Sequence, residues 1–421
     1  MSRGYAGKGS EARPGRGMGA GGVVGDKLEE LARQGAQAML AAALEQEVDE
    51  FLQRARYARG REFRGYRNGH AAERTVGVGV GAVPVRLPRV SDVPPEVAPN
   101  GFESQIVGRY QRASEATQRL LARLYLEGLS TGDFEPVFRV LLGETAPLSP
   151  SSITRLKAEW QEEFEVWRAR HLDHHRYLYL WVDGVYLDAG PEEERTALLV
   201  VVGLNGQGEK ELLAMRPGYR ESAASWAEVL RDLRDRGLSC PMVVIGDGAL
   251  GIWVAAREIW PRARPQRCWN HRVLNVLDKL PKRLWSQMRK DLRLAATAPT
   301  RAECHERLEQ IAADLRQAGH EAAAETVLRD LDDFLTYYDF PQEHWQHLRT
   351  TNPIESIFAG VRLRTNVTKR MPKVPNAVCL VYKIIQRLAQ HWRKITGSNL
   401  CGLVLAGVRF VDGQMAQPLA A

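Results

Sequence analysis

Cysteine is scarce in this chain of 421 residues: Cys240, Cys268, Cys304, Cys379 and Cys401, odd in number and widely spaced. That excludes the paired framework of a small secreted domain. No apolar run reaches the roughly 18–20 residues needed to cross a bilayer, and no apolar signal-peptide core opens the sequence. The chain therefore reads as soluble and cytoplasmic. Lysine is sparse as well: 11 of 58 basic residues, leaving 58 − 11 = 47 arginines. Against 51 acids the net charge is +7, a mild bias toward polyanionic partners. Arginine forks suit phosphate, but GC-rich coding also inflates arginine, so position matters more than number. With 44% hydrophobic residues the chain can bury a sizeable core, and its length fits about two or three domains.

Residues 1–25 hold nine glycines with Arg3, Arg13 and Arg16, and read as a disordered arm. Apolar residues then recur at helical spacing from Asp26 to about Tyr57. Residues 51–75 carry seven arginines against two glutamates, with Tyr57, Phe63 and Tyr66 between them. Val76 to Pro88 alternates and is rich in valine and glycine, the pattern of a hairpin. A proline-rich linker follows over 91–99. Helices are expected over 112–127 and from about Ser149 to beyond Trp167, with a turn and a further helix between them. That order allows a helix-turn-helix, and equally an ordinary three-helix core.

Between 176 and 275 the character changes. Strands are predicted at 176–187, 196–204, 211–216, 242–245 and 264–268, with helices at 222–238 and 249–260. Three strands, then helix, strand, helix, strand is the order of a ribonuclease H-like α/β core. The chain then reads as helical to about 395. Residues 301–345 are acidic, four arginines against eleven acids, whereas 346–395 hold ten basic residues and one acid.

Three carboxylates stand out. Asp183 is a lone acid within an apolar strand, where an unpaired charge is costly and needs a partner; the Asp-Gly pair also suits a hairpin turn. Asp188 is its rival, five residues on. Asp247 follows a buried strand, where α/β ligand sites gather; it is equally a plausible helix cap. Glu355 is the only acid between Glu343 and Asp412, and it sits three residues after Asn352, a capping-box spacing. Converging there, the three would bind two Mg²⁺ or Mn²⁺ ions, hard cations that take oxygen ligands and activate a water or a 3′-hydroxyl.

Further stretches sharpen this reading. They are Tyr66-Arg-Asn-Gly69, Leu87-Pro-Arg89, Tyr110-Gln-Arg112, Leu124-Tyr-Leu-Glu-Gly-Leu-Ser-Thr131 and Leu148-Ser-Pro-Ser-Ser-Ile-Thr154. Val182-Asp-Gly184, Gly246-Asp-Gly248, Cys268-Trp-Asn-His271 and Asn352-Pro-Ile-Glu-Ser-Ile357 follow in order. The ordered set resembles the Mutator-type bacterial insertion-sequence transposases, which are DDE recombinases. The resemblance spans about 30–395. Gly132 departs from it, since the family tends to be basic there.

The resemblance implies Asp183, Asp247 and Glu355 as catalytic residues and metal ligands, with a helical insertion between the last two. It implies double-stranded DNA as partner, both terminal inverted repeats and target, and a homodimer or larger assembly on DNA. It also implies a bacterial, nucleoid-associated location. No membrane and no small-molecule cofactor are expected. The layout becomes an arm over 1–25, a basic helix and β segment over 26–95, and a helical DNA-binding region over 96–170. The core occupies 171–285 and is completed by 346–395, the insertion lies at 286–345, and 396–421 is a tail without readable signal. The rival functions are a ribonuclease H-like nuclease without strand transfer and an inactive DNA-binding relic.

Candidate phosphate contacts are Arg64, Arg67, Arg112, Arg267, Arg272, Arg362, Arg364, Lys369 and Arg370, although each stretch also reads as a solvated face. Trp269 and Trp345 are candidates for stacking on an unpaired base, with core packing the plainer reading. Cys268 and His271 supply only two of the four ligands that structural zinc needs. The family carries a similar pair near its active site, which favours a role in positioning DNA or the third carboxylate.

Overall fold

The computed structural model describes residues 27–58, 62–127, 150–189, 196–218, 220–248, 250–367 and 373–416, with a few isolated positions between them. The arm at 1–25, the centre of the helix-turn-helix reading and the pair Lys369 and Arg370 lie outside the described residues. The chain falls into two units, 1–121 with 132–149 and 122–131 with 150–421.

In the first unit, α1 (Lys27–Leu52) forms over the stretch of helical apolar spacing. It stops where Gln53 turns left-handed, φ 51°. Leu44 packs with Val76, Val83, Val85 and Val107. Those valines belong to the expected hairpin and its surroundings: β2 (Arg74–Val78) pairs antiparallel with β3 (Gly81–Val85). Two strands not foreseen, β1 (Tyr66–His70) and β4 (Pro88–Ser91), also pair antiparallel. α2 (Glu115–Glu127) starts three residues later than its apolar pattern implied. Ser114 is the reason, since its hydroxyl accepts the Thr117 N–H at 3.3 Å and caps the helix there.

The second unit opens with α3 (Pro150–Ala169). β5 (Tyr177–Leu187), β6 (Thr196–Asn205) and β7 (Lys210–Gly218) form an antiparallel meander. α4 (Ala223–Asp235), β8 (Val243–Gly246), α5 (Leu250–Ile259) and β9 (Arg264–Arg267) follow. The sheet order is β7-β6-β5-β8-β9, with β5, β8 and β9 parallel. Successive side chains on a strand face opposite sides. Leu180 and Val182 join the apolar cluster of Trp226, Leu230, Leu233, Ile252 and Trp253 from α4 and α5. Tyr179, Trp181 and Asp183 face the other way.

That second face is covered by later chain. α6 (Trp269–Leu277), α7 (Trp285–Ala296), α8 (Arg301–Gln317) and α9 (Glu321–Leu328) lead into short turns over 331–348. Tyr179 packs edge-on to Phe340, its hydroxyl is 2.8 Å from His344 Nδ1, and Trp181 Nε1 donates to the His347 carbonyl at 2.9 Å. α10 (Asn352–Val367) then crosses β5, and α11 (Val374–Ala389) lies along β7 and α3. Residues 397–416 are built in rather than trailing: His344 Nε2 is 2.9 Å from the Gly397 carbonyl, and Gly413 N donates to the Tyr338 carbonyl at 3.1 Å.

Candidate active site

The site begins with strand register. Tyr179, Leu180 and Trp181 pair with Val243, Val244 and Ile245, each partner 64 positions further along the chain. Asp183 and Asp247 are separated by 247 − 183 = 64 as well. They therefore stand level, just past the end of the β8 pairing, and opposed residues of parallel strands face the same side. Asp183 is still within the β5–β6 ladder, opposite Val200, so it is not in a hairpin turn. Its Oδ1 accepts the Gly184 N–H at 2.8 Å. Asp247 Oδ1 accepts the Gly248 N–H, and its carbonyl accepts Trp253 Nε1 at 2.9 Å. Asp188 is exposed just beyond β5.

α10 brings in Glu355. The helix starts at Asn352, and the Thr351 carbonyl accepts the N–H groups of Ile354 and Glu355, both at 2.9 Å. The cap is thus Thr351, one residue before the expected Asn352, so Glu355 falls in the fourth helical position and no capping box forms. Its Oε1 instead takes a 2.5 Å hydrogen bond from the Thr351 hydroxyl. Asn352 is engaged elsewhere, accepting Asn270 Nδ2 at 2.8 Å.

Cys268 and His271 lie where the three segments meet. Cys268 is buried at the start of α6, and its N–H donates to the Gly246 carbonyl at 2.8 Å. Its Sγ accepts the Thr351 N–H at 3.3 Å and lies 3.2 Å from the Thr351 hydroxyl oxygen. His271 Nδ1 is 3.7 Å from Asp247 Oδ1 and 3.9 Å from Glu355 Oε1. The Nδ1 atom is buried and meets no hydrogen-bond partner among the described residues.

The electrostatics follow from this crowding. Burial pushes the Asp183 carboxyl up to about 7; Gly184 and His271 pull it down, while Glu221 and Asp247 push it further up. The Cys268 sulfur, then the Asp247 and Asp183 carboxylates, raise His271 to about 9 against the burial that lowers it. Glu221, which sequence reasoning missed, is raised by burial and by Asp247.

The donor set tests what such a site can hold. Carboxylate oxygens suit hard divalent cations. The ligand atoms of Cys268, His271 and Glu355 lie within 4.8 Å of one another, a trio closer to zinc preferences. The Cys268 sulfur, however, is already engaged with Thr351, which favours the oxygen set. The orphaned His271 Nδ1 supplies a positive or donating group between two of the acids.

The arginine expectations divide. Arg112 and Arg362 are exposed. Arg64 is half-buried, with Nη1 3.4 Å from the Phe51 carbonyl. Arg67 clasps β1 to α1 through Glu45 (2.6 Å) and Asp49. Three others lie inside, and their placement corrects the reading of them as phosphate contacts. Arg267 pairs with Asp330 at 2.7 Å and Asp333 at 3.4 Å. Arg272 donates to the carbonyls of Thr326 and Arg329 and stacks 3.8 Å from the Phe334 ring centre. Arg364 donates twice to the Tyr125 carbonyl, at 3.0 and 2.7 Å. Buried carbonyls at helix ends need donors, and the Arg272 and Arg364 guanidinium groups supply them. The 262–290 patch keeps its surface charge through Arg262, Lys279, Lys282, Arg283, Arg289 and Lys290. Trp269 and Trp345 are core residues, donating to the Phe334 and Phe340 carbonyls at 3.0 and 2.9 Å.

From its residues upward, this is an α/β protein with a carboxylate-lined site at the ends of its parallel strands, flanked by cationic surface. The chain belongs to the Mutator family of transposases, whose family profile matches residues 22–395. It is 44% identical over 298 residues to the transposase for insertion sequence element IS6120 of Mycolicibacterium smegmatis, covering 71% of this chain and 92% of that protein. It is 40% identical over 278 residues to the transposase for insertion sequence element IST2 of Acidithiobacillus ferrooxidans, covering 65% and 93%. With the transposase for insertion sequence element ISRM5 of Rhizobium meliloti the identity is 29% over 372 residues, covering 87% and 89%. Membership makes the chain an enzyme of DNA transposition. No helix among the described residues is long and apolar enough to cross a membrane.

Proposed function

We propose that the chain cuts the ends of its own insertion sequence and joins them to target DNA by DDE chemistry on a ribonuclease H-like core. The observation that carries this is the meeting of Asp183, Asp247 and Glu355 from β5, the end of β8 and α10 around His271. The sheet order supports the core, as an antiparallel meander extended by two parallel strands.

Asp183, Asp247 and Glu355 would hold two Mg²⁺ or Mn²⁺ ions. When bound, such ions activate a water or a 3′-hydroxyl and neutralise charge on the departing oxygen. The chain's own residues prepare the site. The strand register fixes two carboxylates level with one another. Thr351 and Cys268 hold the third. His271 offsets carboxylate repulsion before a cation arrives. Exposed cations such as Arg362, Lys279 and Lys282 are placed to receive backbone phosphates, and the N-terminal region, including Arg112, would engage the terminal inverted repeats. Holding two ends calls for a dimer or larger assembly on DNA.

The test uses labelled DNA carrying the inverted ends that flank the gene, incubated with purified protein and Mg²⁺ or Mn²⁺. Metal-dependent nicking at the end and a joined product are expected, and both should vanish in Asp247→Asn and Glu355→Gln. Nicking without joining would favour a nuclease. Nicking that survives both substitutions would refute the carboxylate assignment.

A further inference from the structure

Glu221 lies in the turn between β7 and α4, and nothing in its sequence neighbourhood singles it out. Its backbone is pinned from behind. The first turn of α5 approaches so closely that a Cβ on Gly251 would stand 2.6 Å from the Glu221 carbonyl oxygen and 2.7 Å from Ala223 N. Only glycine permits that approach. The side chain is directed by a second glycine. A Cβ on Gly184 would stand 2.5 Å from Glu221 Oε1 and 2.6 Å from its Cδ. The carboxylate therefore occupies the space that Gly184, the residue after Asp183, leaves open on β5.

From there its charge acts on Asp183 and in turn feels Asp247 and His271. No ion pair or hydrogen bond ties it among the described residues. A half-buried carboxylate with no ion pair, its charge repelled by Asp247 and offset only by the shared His271, is unfavourable on its own. The arrangement becomes favourable when a cation enters.

We propose that Glu221 is a fourth carboxylate of the cation site, completing an oxygen cradle of Asp183, Glu221 and Asp247 with Glu355 opposite. This rests on the reading that Asp183 and Asp247 hold divalent cations. The role is ligation or charge balance of the ion beside Asp183, and it leaves DNA recognition untouched.

The experiment needs no DNA. Mn²⁺ is titrated into full-length protein and free Mn²⁺ is read by its electron paramagnetic resonance signal, with melting curves recorded with and without the ion. Glu221→Gln should weaken Mn²⁺ binding by roughly tenfold or more. Its metal-free Tm should equal or exceed that of the unaltered protein, because a repulsive charge is gone. If Glu221→Gln does not fold, Glu221→Asp is judged by the same loss of affinity. Unchanged Mn²⁺ affinity beside a clear loss in Asp247→Asn would overturn the role of Glu221 alone. An Asp247→Asn protein that binds Mn²⁺ like the unaltered one would bring down the cation reading with it. A lowered metal-free Tm with unchanged affinity would show that Glu221 merely secures its turn.

Discussion

Asp183 on β5 and Asp247, the residue after the parallel strand β8, are 247 − 183 = 64 residues apart, the same offset as the three strand pairs before them. Only the one step from Gly246 to Asp247 lies beyond the strands that bring them together. The ladder that builds the sheet also sets their spacing, so the site is as rigid as the core beneath it.

Removing either acid should therefore act on chemistry far more than on folding. Asp247→Asn is expected to reduce end cleavage on the order of a thousandfold, the several kcal/mol that cation-held groups supply. Its metal-free Tm should stay level or rise. Cleavage assays and calorimetry on the same preparation check both.

The pH response follows from two raised groups. Asp183 moves from an ordinary 3.8 to about 7, so its contribution to stability is full below about 4 and is lost as pH climbs through 7. His271 moves from 6.5 to about 9, and its contribution is full below about 6.5 and lost as pH passes 9. Both trends share a sign, so the metal-free protein should melt lower at pH 9 than at pH 6. Divalent cations compete with the Asp183 proton, so the Tm gained from Mn²⁺ should grow between pH 6 and 8. A metal-free Tm that climbs across this range would contradict the placement of both groups.

Two glycine substitutions separate yielding from unyielding contacts. At Gly251 a methyl meets backbone atoms of Glu221, Ser222 and Ala223, all within 2.7 Å. At Gly184 its three nearest neighbours are all atoms of the Glu221 side chain. Gly251→Ala should cost about 1–3 kcal/mol, and Gly184→Ala less, because Glu221 can swing aside. Denaturant melts of both variants give the comparison.

Thr351 is expected to matter through Glu355. Its hydroxyl donates to the Glu355 carboxylate at 2.5 Å and lies 3.2 Å from Cys268 Sγ. Thr351→Val removes both links and should cost about 1–2 kcal/mol of stability. It should also lower cleavage at saturating Mn²⁺, because Glu355 loses its fixed rotamer. Thr351→Ser should restore most of both, and a Thr351→Val enzyme of full activity would refute the link.

Arginines of like appearance should behave differently. Arg272→Ala leaves the Thr326 and Arg329 carbonyls without their donor, and should lower Tm with little change in the salt dependence of DNA binding. Arg362→Ala, at an exposed position, should leave Tm unchanged and reduce the salt slope by about one phosphate contact. Binding isotherms at several salt concentrations discriminate the two.

Much of this was legible in the residues. The strands of the second unit announced themselves as apolar runs between turn signals, and Asp183 and Asp247 as acids out of keeping with such runs. The cap of α10 was misplaced by one residue, because Thr350, Thr351 and Asn352 are all good caps and local sequence does not rank them. Arg267, Arg272 and Arg364 depart from the phosphate reading because an arginine looks alike in sequence whether it faces water or is tied inside the fold to acids, as Arg267 is, or to carbonyls, as Arg272 and Arg364 are. Glu221 left no trace in sequence, since its proximity to Asp183 depends on a missing side chain at Gly184, far away in the chain. The strands β1 and β4 were hidden by short length and polar composition.

The closing contacts at Gly397 and Gly413 also set a timetable. A ribosome releases the chain from its N-terminus, so the first unit emerges long before the segment that latches onto His344 and Tyr338. That latch braces the turns leading to Glu355. On the proposed reading the carboxylate site is thus completed late in synthesis, and a chain cut short before Gly397 is expected to lack the contacts that brace the turns before Glu355.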